Sequence, residues 1–234
     1  MKYFILFMLF FIISCGKIST KREIERYREI NPLEQVTVNL NRGDVEIVGW
    51  SRDFVEIEIK RMIFSGLAND INLITIDFLK DAKNFLINGN VPARVNGSVF
   101  MRIYLPFMLL KANLNLGVSN LSMTKFFGNS DIVNSEGSIF VDFYGTFLRV
   151  YSSKGAVDVN VKSSLPVDIS AVTEKSDIKI NISEIGRASF LDVKSSEGDI
   201  LLNLFTKIEH ELFATSRNKN IAINYKLNNL KVID

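Results

Sequence analysis

Residues 150–161 read VYSSKGAVDVNV, and residues 193–204 read VKSSEGDILLNL. In each, a short strand meets a Ser-rich turn containing Gly, and a strand of alternating apolar and polar residues follows. Alternation at period two places one row of side chains on each face of a β-strand. IVNSEGSIFVDF (132–143), AVTEKSDIKINI (171–182) and FATSRNKNIAINY (213–225) repeat the pattern, and LNLGVSNLSM (114–123) is a degenerate earlier copy. The equivalent turn positions Gly137, Gly155, Ser176 and Gly198 recur at near-constant spacing. One copy offers an apolar stripe, such as Val157, Val159 and Val161, that is too narrow to bury itself. Stacked at the inter-strand spacing of about 4.8 Å, such stripes align into a continuous core. Ser, Asn and Gly suit the corners, where a side chain bonds back to the backbone or φ turns positive.

The sequence therefore predicts an all-β chain: a β-solenoid, right-handed and β-helix-like, with coils of about 20 residues. A β-sandwich is the alternative that the same strands allow. Upstream, VTVNL (36–40), DVEIVGW (44–50), FVEIEIKRM (54–62) and SVFMRIYL (98–105) also alternate, but at less regular spacing. Residues 71–89 read as a strand, a polar turn near Asp81–Lys83 and a returning strand. Pro106 breaks one strand from the next, as Pro does at a corner.

The chain opens MKYFILFMLFFIISCGK, with Lys2 ahead of an apolar run too short to span a bilayer as a helix, then Ser14-Cys15. Ile12-Ile13-Ser14-Cys15 resembles the lipobox of bacterial lipoproteins, with Ile13 a departure from the usual small residue. The resemblance implies a signal peptide at 1–14, lipid attachment at Cys15 and the membrane as a partner through that lipid. It also implies a bacterial envelope location. Gly16 after Cys15 favours the outer membrane or cell surface over the inner membrane. Residues 15–33 then read as the lipidated Cys and a polar tether, whose 17–31 stretch also allows a short solvated helix. Residues 34–234 form the repeat domain.

Of the 234 residues 47% are hydrophobic and 23% charged, which excludes a disordered chain. A formal net charge of +2 argues against nucleic acid as a partner. Cys15 is the single Cys, so there is no intramolecular disulfide.

Arg42-Gly43-Asp44 has the composition of a cell-attachment tripeptide. It precedes Val45-Glu46-Ile47 as Glu197-Gly198-Asp199 precedes Ile200, so it reads better as the first corner of the repeat. Asp44, Asp177 and Asp199 share a slot and are expected to form a solvated row. Glu46, Glu56, Glu58 and Asp158 alternate with apolar residues, which puts them on outer strand faces. The single His210 has no second His or Cys partner for a soft metal site. No catalytic residue, metal site or cofactor is expected, and Trp50 and the aromatics near the turns are expected to fill the core.

The run GDVEIVGWSRDFVEIEIKR (43–61), then RIYLP (102–106), then repeated S-x-G-x-I coils resembles the bacterial putative-adhesin family. The likeness spans about residues 35–225, carried by Gly43-Asp44-Val45, Gly49-Trp50 and Leu105-Pro106. It implies an exported or membrane-tethered β-helical stack. The expected function is a non-catalytic binding, adhesion or scaffolding module whose partner is an unidentified protein or glycan. A carbohydrate-active or polysaccharide-binding β-helix and a purely structural envelope component are the alternatives.

Overall fold

The computed structural model describes residues 18–27, 34–81, 83–107, 109–186, 189–205, 211–217 and 219–225. Cys15 and His210 lie outside them. The described residues are mostly strand, with one short 3-10 helix. They begin with β1 (Ser19–Tyr27), β2 (Gln35–Trp50) and β3 (Val55–Ser65). A 3-10 helix at Ala68–Leu73 leads to β4 (Thr75–Lys80), β5 (Asn84–Asn90) and β6 (Asn96–Pro106). Six coils of two strands follow. The first three are β7 (Lys111–Val118) with β8 (Leu121–Phe126), β9 (Asn129–Glu136) with β10 (Ile139–Phe143), and β11 (Phe147–Lys154) with β12 (Val157–Ser163). The last three are β13 (Asp168–Thr173) with β14 (Ile178–Ile185), β15 (Phe190–Ser195) with β16 (Ile200–Leu204), and β17 (Glu211–Ser216) with β18 (Ile221–Tyr225).

Within a coil the two strands belong to different sheets. Each pairs in parallel with its counterpart one coil away, as β12 does with β14 and β13 with β15. Ile139 lies opposite Val157, Val157 opposite Ile178, Ile178 opposite Ile200 and Ile200 opposite Ile221, so successive coils are of nearly equal length. The apolar stripes face inward. Val141, Val159, Ile180 and Leu202 form one fully buried column of the core.

The first coil of the chain is not the end of the stack. β2 runs through a corner, giving residues 35–40 to one sheet and 43–50 to the other. β5 and β6 pair with it on one side, and β7 and β8 on the other. The far side of β5 and β6 is closed by antiparallel strands: β4 against β5, β3 against β6, and β1 against β3. β4 and β5 are the hairpin read at 71–89, although Ile71–Leu73 belong to the 3-10 helix. Ser19–Tyr27 lies within the stretch expected to be a tether or a solvated helix, yet it pairs with β3 along its whole length.

The corners explain the Ser-rich turns. Inward Ser195 accepts a hydrogen bond from Gly198 N–H (2.8 Å) and donates to the Ser176 carbonyl (3.0 Å). Thr173 donates to the same carbonyl at 2.6 Å, and Asn134 donates to the carbonyls of Ser119 and Gly137. Backbone groups that a bend would leave unpaired in a buried position are thus satisfied from inside. On the outer face, Asn160 donates to Asp142, Asn181 to Asn160, Asn203 to Asn181 and Asn224 to Asn203, at 2.7–3.0 Å. This ladder joins five coils.

Candidate functional site

The two edges of the stack differ in chemistry. One holds the Ser, Gly and Asp corners. Asp44 Oδ1 accepts from the backbone N–H (3.1 Å) and the side-chain amide (2.9 Å) of Asn120 in the next coil. Asn120 accepts from Ser138 N–H, Asp177 from Asp199 N–H, and Asp199 from Asn220 N–H. Asp44, Asp177 and Asp199 do line up along one edge, but as acceptors for the neighbouring backbone. Gly137, Gly155, Ser176 and Gly198 stack beside them, and a Cβ on Gly155 would meet the Gly137 carbonyl oxygen at 1.9 Å. Arg42 donates to the Val95 carbonyl at 3.2 Å, and Gly43 is buried between coils. The tripeptide is therefore built into a continuous strand and does not project from a loop.

Tyr151 and Ser153 both donate to Glu174 at this edge. The Tyr151 hydroxyl, then Ser153, holds the Glu174 carboxyl below the usual carboxylate range, and Glu174 pushes the Tyr151 phenol up. A lowered carboxylate pKa gives stability that is lost as pH falls through the folded-state value. A raised phenol pKa gives stability that is lost as pH rises through its own. Tyr151→Phe is expected to lower the melting temperature slightly near neutrality, with the difference from wild type shrinking as pH falls through the Glu174 value and as it rises through the Tyr151 value. A difference that stays constant across the pH range, or none near neutrality, refutes the coupling.

The opposite edge carries aromatic side chains. Phe126 and Phe143 turn inward and are buried, whereas Phe107 and Phe127 are 39% and 47% exposed and Tyr144 is half-buried. The rings form a line: Phe107 to Phe127 at 5.1 Å and Phe127 to Tyr144 at 4.8 Å between centroids. Beside them, Trp50 stacks on Tyr104 at 4.8 Å, meets Phe54 edge-on at 4.8 Å, and donates its indole N–H to the Phe54 carbonyl. The Arg52 guanidinium lies 4.9 Å from the Trp50 ring, and the Lys162 ammonium 5.7 Å from Tyr144. The aromatics expected in the core are thus divided, with one member of each turn pair inside and one outside.

Between the edges, the outer face of the sheet containing β6, β8 and β10 carries a charge-paired row. Arg22 bonds Glu58 at 3.3 Å, and Arg102 bonds Glu46 at 2.7 Å with Glu58 at 4.0 Å on its other side. The Glu46 carboxylate raises the Arg102 pKa. Glu46 and Glu58 share one guanidinium, which suits ion pairing and not proton shuttling. Among the described residues no three His, Cys, Asp or Glu side chains gather as a metal cluster.

No protein-family model and no curated protein sequence matches the chain. Among solved structures it is similar to a "putative cell adhesion protein" from Clostridium sporogenes, with TM-score 0.50 and 13% identity, covering 89% of this chain and 100% of that one. It is also similar to a "putative adhesin" from Bacteroides fragilis, with TM-score 0.40 and 11% identity over 88% of this chain and 97% of that one. At 13% identity, the likeness to the clostridial protein is one of fold.

Proposed function

We propose that this chain is a non-catalytic adhesion module, a right-handed β-solenoid held on the bacterial surface by lipid on Cys15. It meets its partner through the aromatic edge. The observation that carries the reading is the unbroken line of Phe107, Phe127 and Tyr144 outside the core, flanked by Arg52 and Lys162. Aromatic side chains with cations beside them are the usual anchors of recognition surfaces. The handedness follows the rule for parallel strands joined by crossovers.

Strand β1 supports the display geometry. Ser19 pairs with Ile63 near the Ser/Gly/Asp edge, and Tyr27 with Val55 near the aromatic edge. Cys15 lies just upstream of Ser19, so lipid would enter at the first edge. The aromatic line then stands about 30 Å away, the length of that one strand, and faces outward.

Two measurements test this. Protease added to intact cells should remove the domain, and Cys15→Ser should move the protein to the soluble fraction. Beads coated with the mature domain should be retained on epithelial monolayers, and Phe107→Ser/Phe127→Ser should lower retention at least five-fold at unchanged melting temperature. A domain protected in intact cells, or retention unaffected by the pair, refutes the proposal.

A further inference from the structure

The outer face beside the Ser/Gly/Asp edge is hollowed between two phenyl rings. Phe100 on β6 and Phe140 on β10 are both half-exposed, with β2 and β8 between them. Three inter-strand steps, about 14 Å by the usual spacing, and two residues along the strands separate the rings. Ser122, Ser138 and Ala156 give the floor side chains too small to fill the space, leaving an open trough of about 520 Å³. A second hollow of about 350 Å³ adjoins Phe100 on its other side, bordered by Arg22 and Glu58.

The polar groups of these hollows alternate in sign. Arg22, Glu58, Arg102 and Glu46 follow one another across the sheet, and Lys179 sits on Asp158 at 3.4 Å beyond Phe140. With Asp44, and with Lys60 bordering the second hollow, four cations face four carboxylates, so the surface is close to neutral. Each carboxylate keeps acceptor capacity after its ion pair, and each guanidinium keeps donors. The Arg102 guanidinium also packs 5.7 Å from the Phe100 ring, which holds that ring in place.

A ligand fitting this surface must offer donors and acceptors side by side, an apolar face for a phenyl ring, and no net charge. A pyranose has hydroxyls that both donate and accept, and a C–H face that lies on an aromatic ring. Fatty chains would cover these ion pairs without offering their spare donors and acceptors a hydrogen bond, and a polyanion would meet Asp44, Glu46 and Asp158. We infer that the trough between Phe100 and Phe140 is a binding site for a neutral, hydroxyl-rich oligosaccharide chain running across the strands. This deepens the adhesion reading by naming one ligand class, and it uses residues separate from the aromatic edge.

The test is isothermal calorimetry of the mature, unlipidated protein with cellohexaose, maltohexaose and chitohexaose, and with hexagalacturonic acid as an anionic comparison. At least one neutral hexasaccharide should bind saturably, and the anionic one at least ten-fold more weakly. Phe140→Ala, which removes a wall, and Ser122→Leu, which fills the floor, should each weaken binding ten-fold or more. Both positions lie on the outer face, so melting temperatures should stay close to wild type. Absence of binding by all three neutral sugars at millimolar concentration overturns the inference, as does binding unaffected by both substitutions or a preference for the anionic sugar. Bead retention that depends on Phe107 and Phe127 is read separately, so the adhesion proposal can stand if the sugar site falls.

Discussion

Gly43→Ala is expected to cost about 4 kcal/mol of stability and to shift the urea midpoint of the mature domain sharply downward. Gly43 has φ +145°, a conformation that residues with a side chain rarely adopt. A Cβ there would sit 2.0 Å from the Val99 carbonyl oxygen of the neighbouring coil. That neighbour is backbone in a paired strand, so it cannot move aside without breaking the ladder between β2 and β6. Arg42→Ala removes one half-exposed hydrogen bond to Val95 and should cost no more than about 1 kcal/mol. The contrast separates a structural corner from an attachment signal, because only the glycine is indispensable to the fold. A Gly43→Ala protein within about 1 kcal/mol of wild type would show that the corner can relax.

Val159→Asp should have the other large effect, abolishing cooperative packing of the later coils. Val159 is fully buried, with Val141 on one side and Ile180 on the other. A carboxylate there has no partner in an apolar column, and breaking such a site typically costs several kcal/mol. In a stack where each coil touches only its neighbours, the damage should be directional. Hydrogen exchange should accelerate in β12 to β18, while β2, β5 and β6 keep their protection. Asp158→Val, one residue away on the outer face, should leave exchange across the domain close to wild type. Uniform exchange along the chain in Val159→Asp would show a single cooperative unit in place of a stack.

The later coils are legible in the sequence because alternation and corner chemistry coincide there. Val157, Val159 and Val161 point inward as alternation requires, and Gly155 and Gly198 fall at the bends. Three features were hidden. Ser19–Tyr27 lacks an apolar stripe because β1 pairs, among the described residues, with β3 alone, so its sequence resembles a solvated segment. Phe126 and Phe127 cannot be assigned inside and outside by counting, since Lys125 takes a left-handed φ of 56° and resets the alternation after Met123. Gly49 marks that irregularity from the neighbouring coil, because its Cα lies against the Lys125 carbonyl. The trough depends on small residues from three different coils, and their juxtaposition appears only once the register is known. The asparagine ladder did leave a signal: an Asn recurs at the same slot in DVNV, KINI, LLNL and IAIN.

The placement of β2 inside the stack also governs the order in which the chain can fold. Its partners on one side, β5 and β6, arrive only after β3, the 3-10 helix and β4 have been made. Those on the other side, β7 and β8, come later still. Every coil after that needs only the one made immediately before it. Loops of the first kind are slow to close, whereas additions of the second kind are short-range. Assembly thus has one slow commitment, when the chain has emerged as far as Phe126 and β2 gains both flanks. Growth is sequential from there, each coil templated by its predecessor. A chain exported from its N-terminus, as proposed, must carry β1 to β6 without a completed core, which makes that interval its period of greatest exposure to proteases and to other unfolded chains.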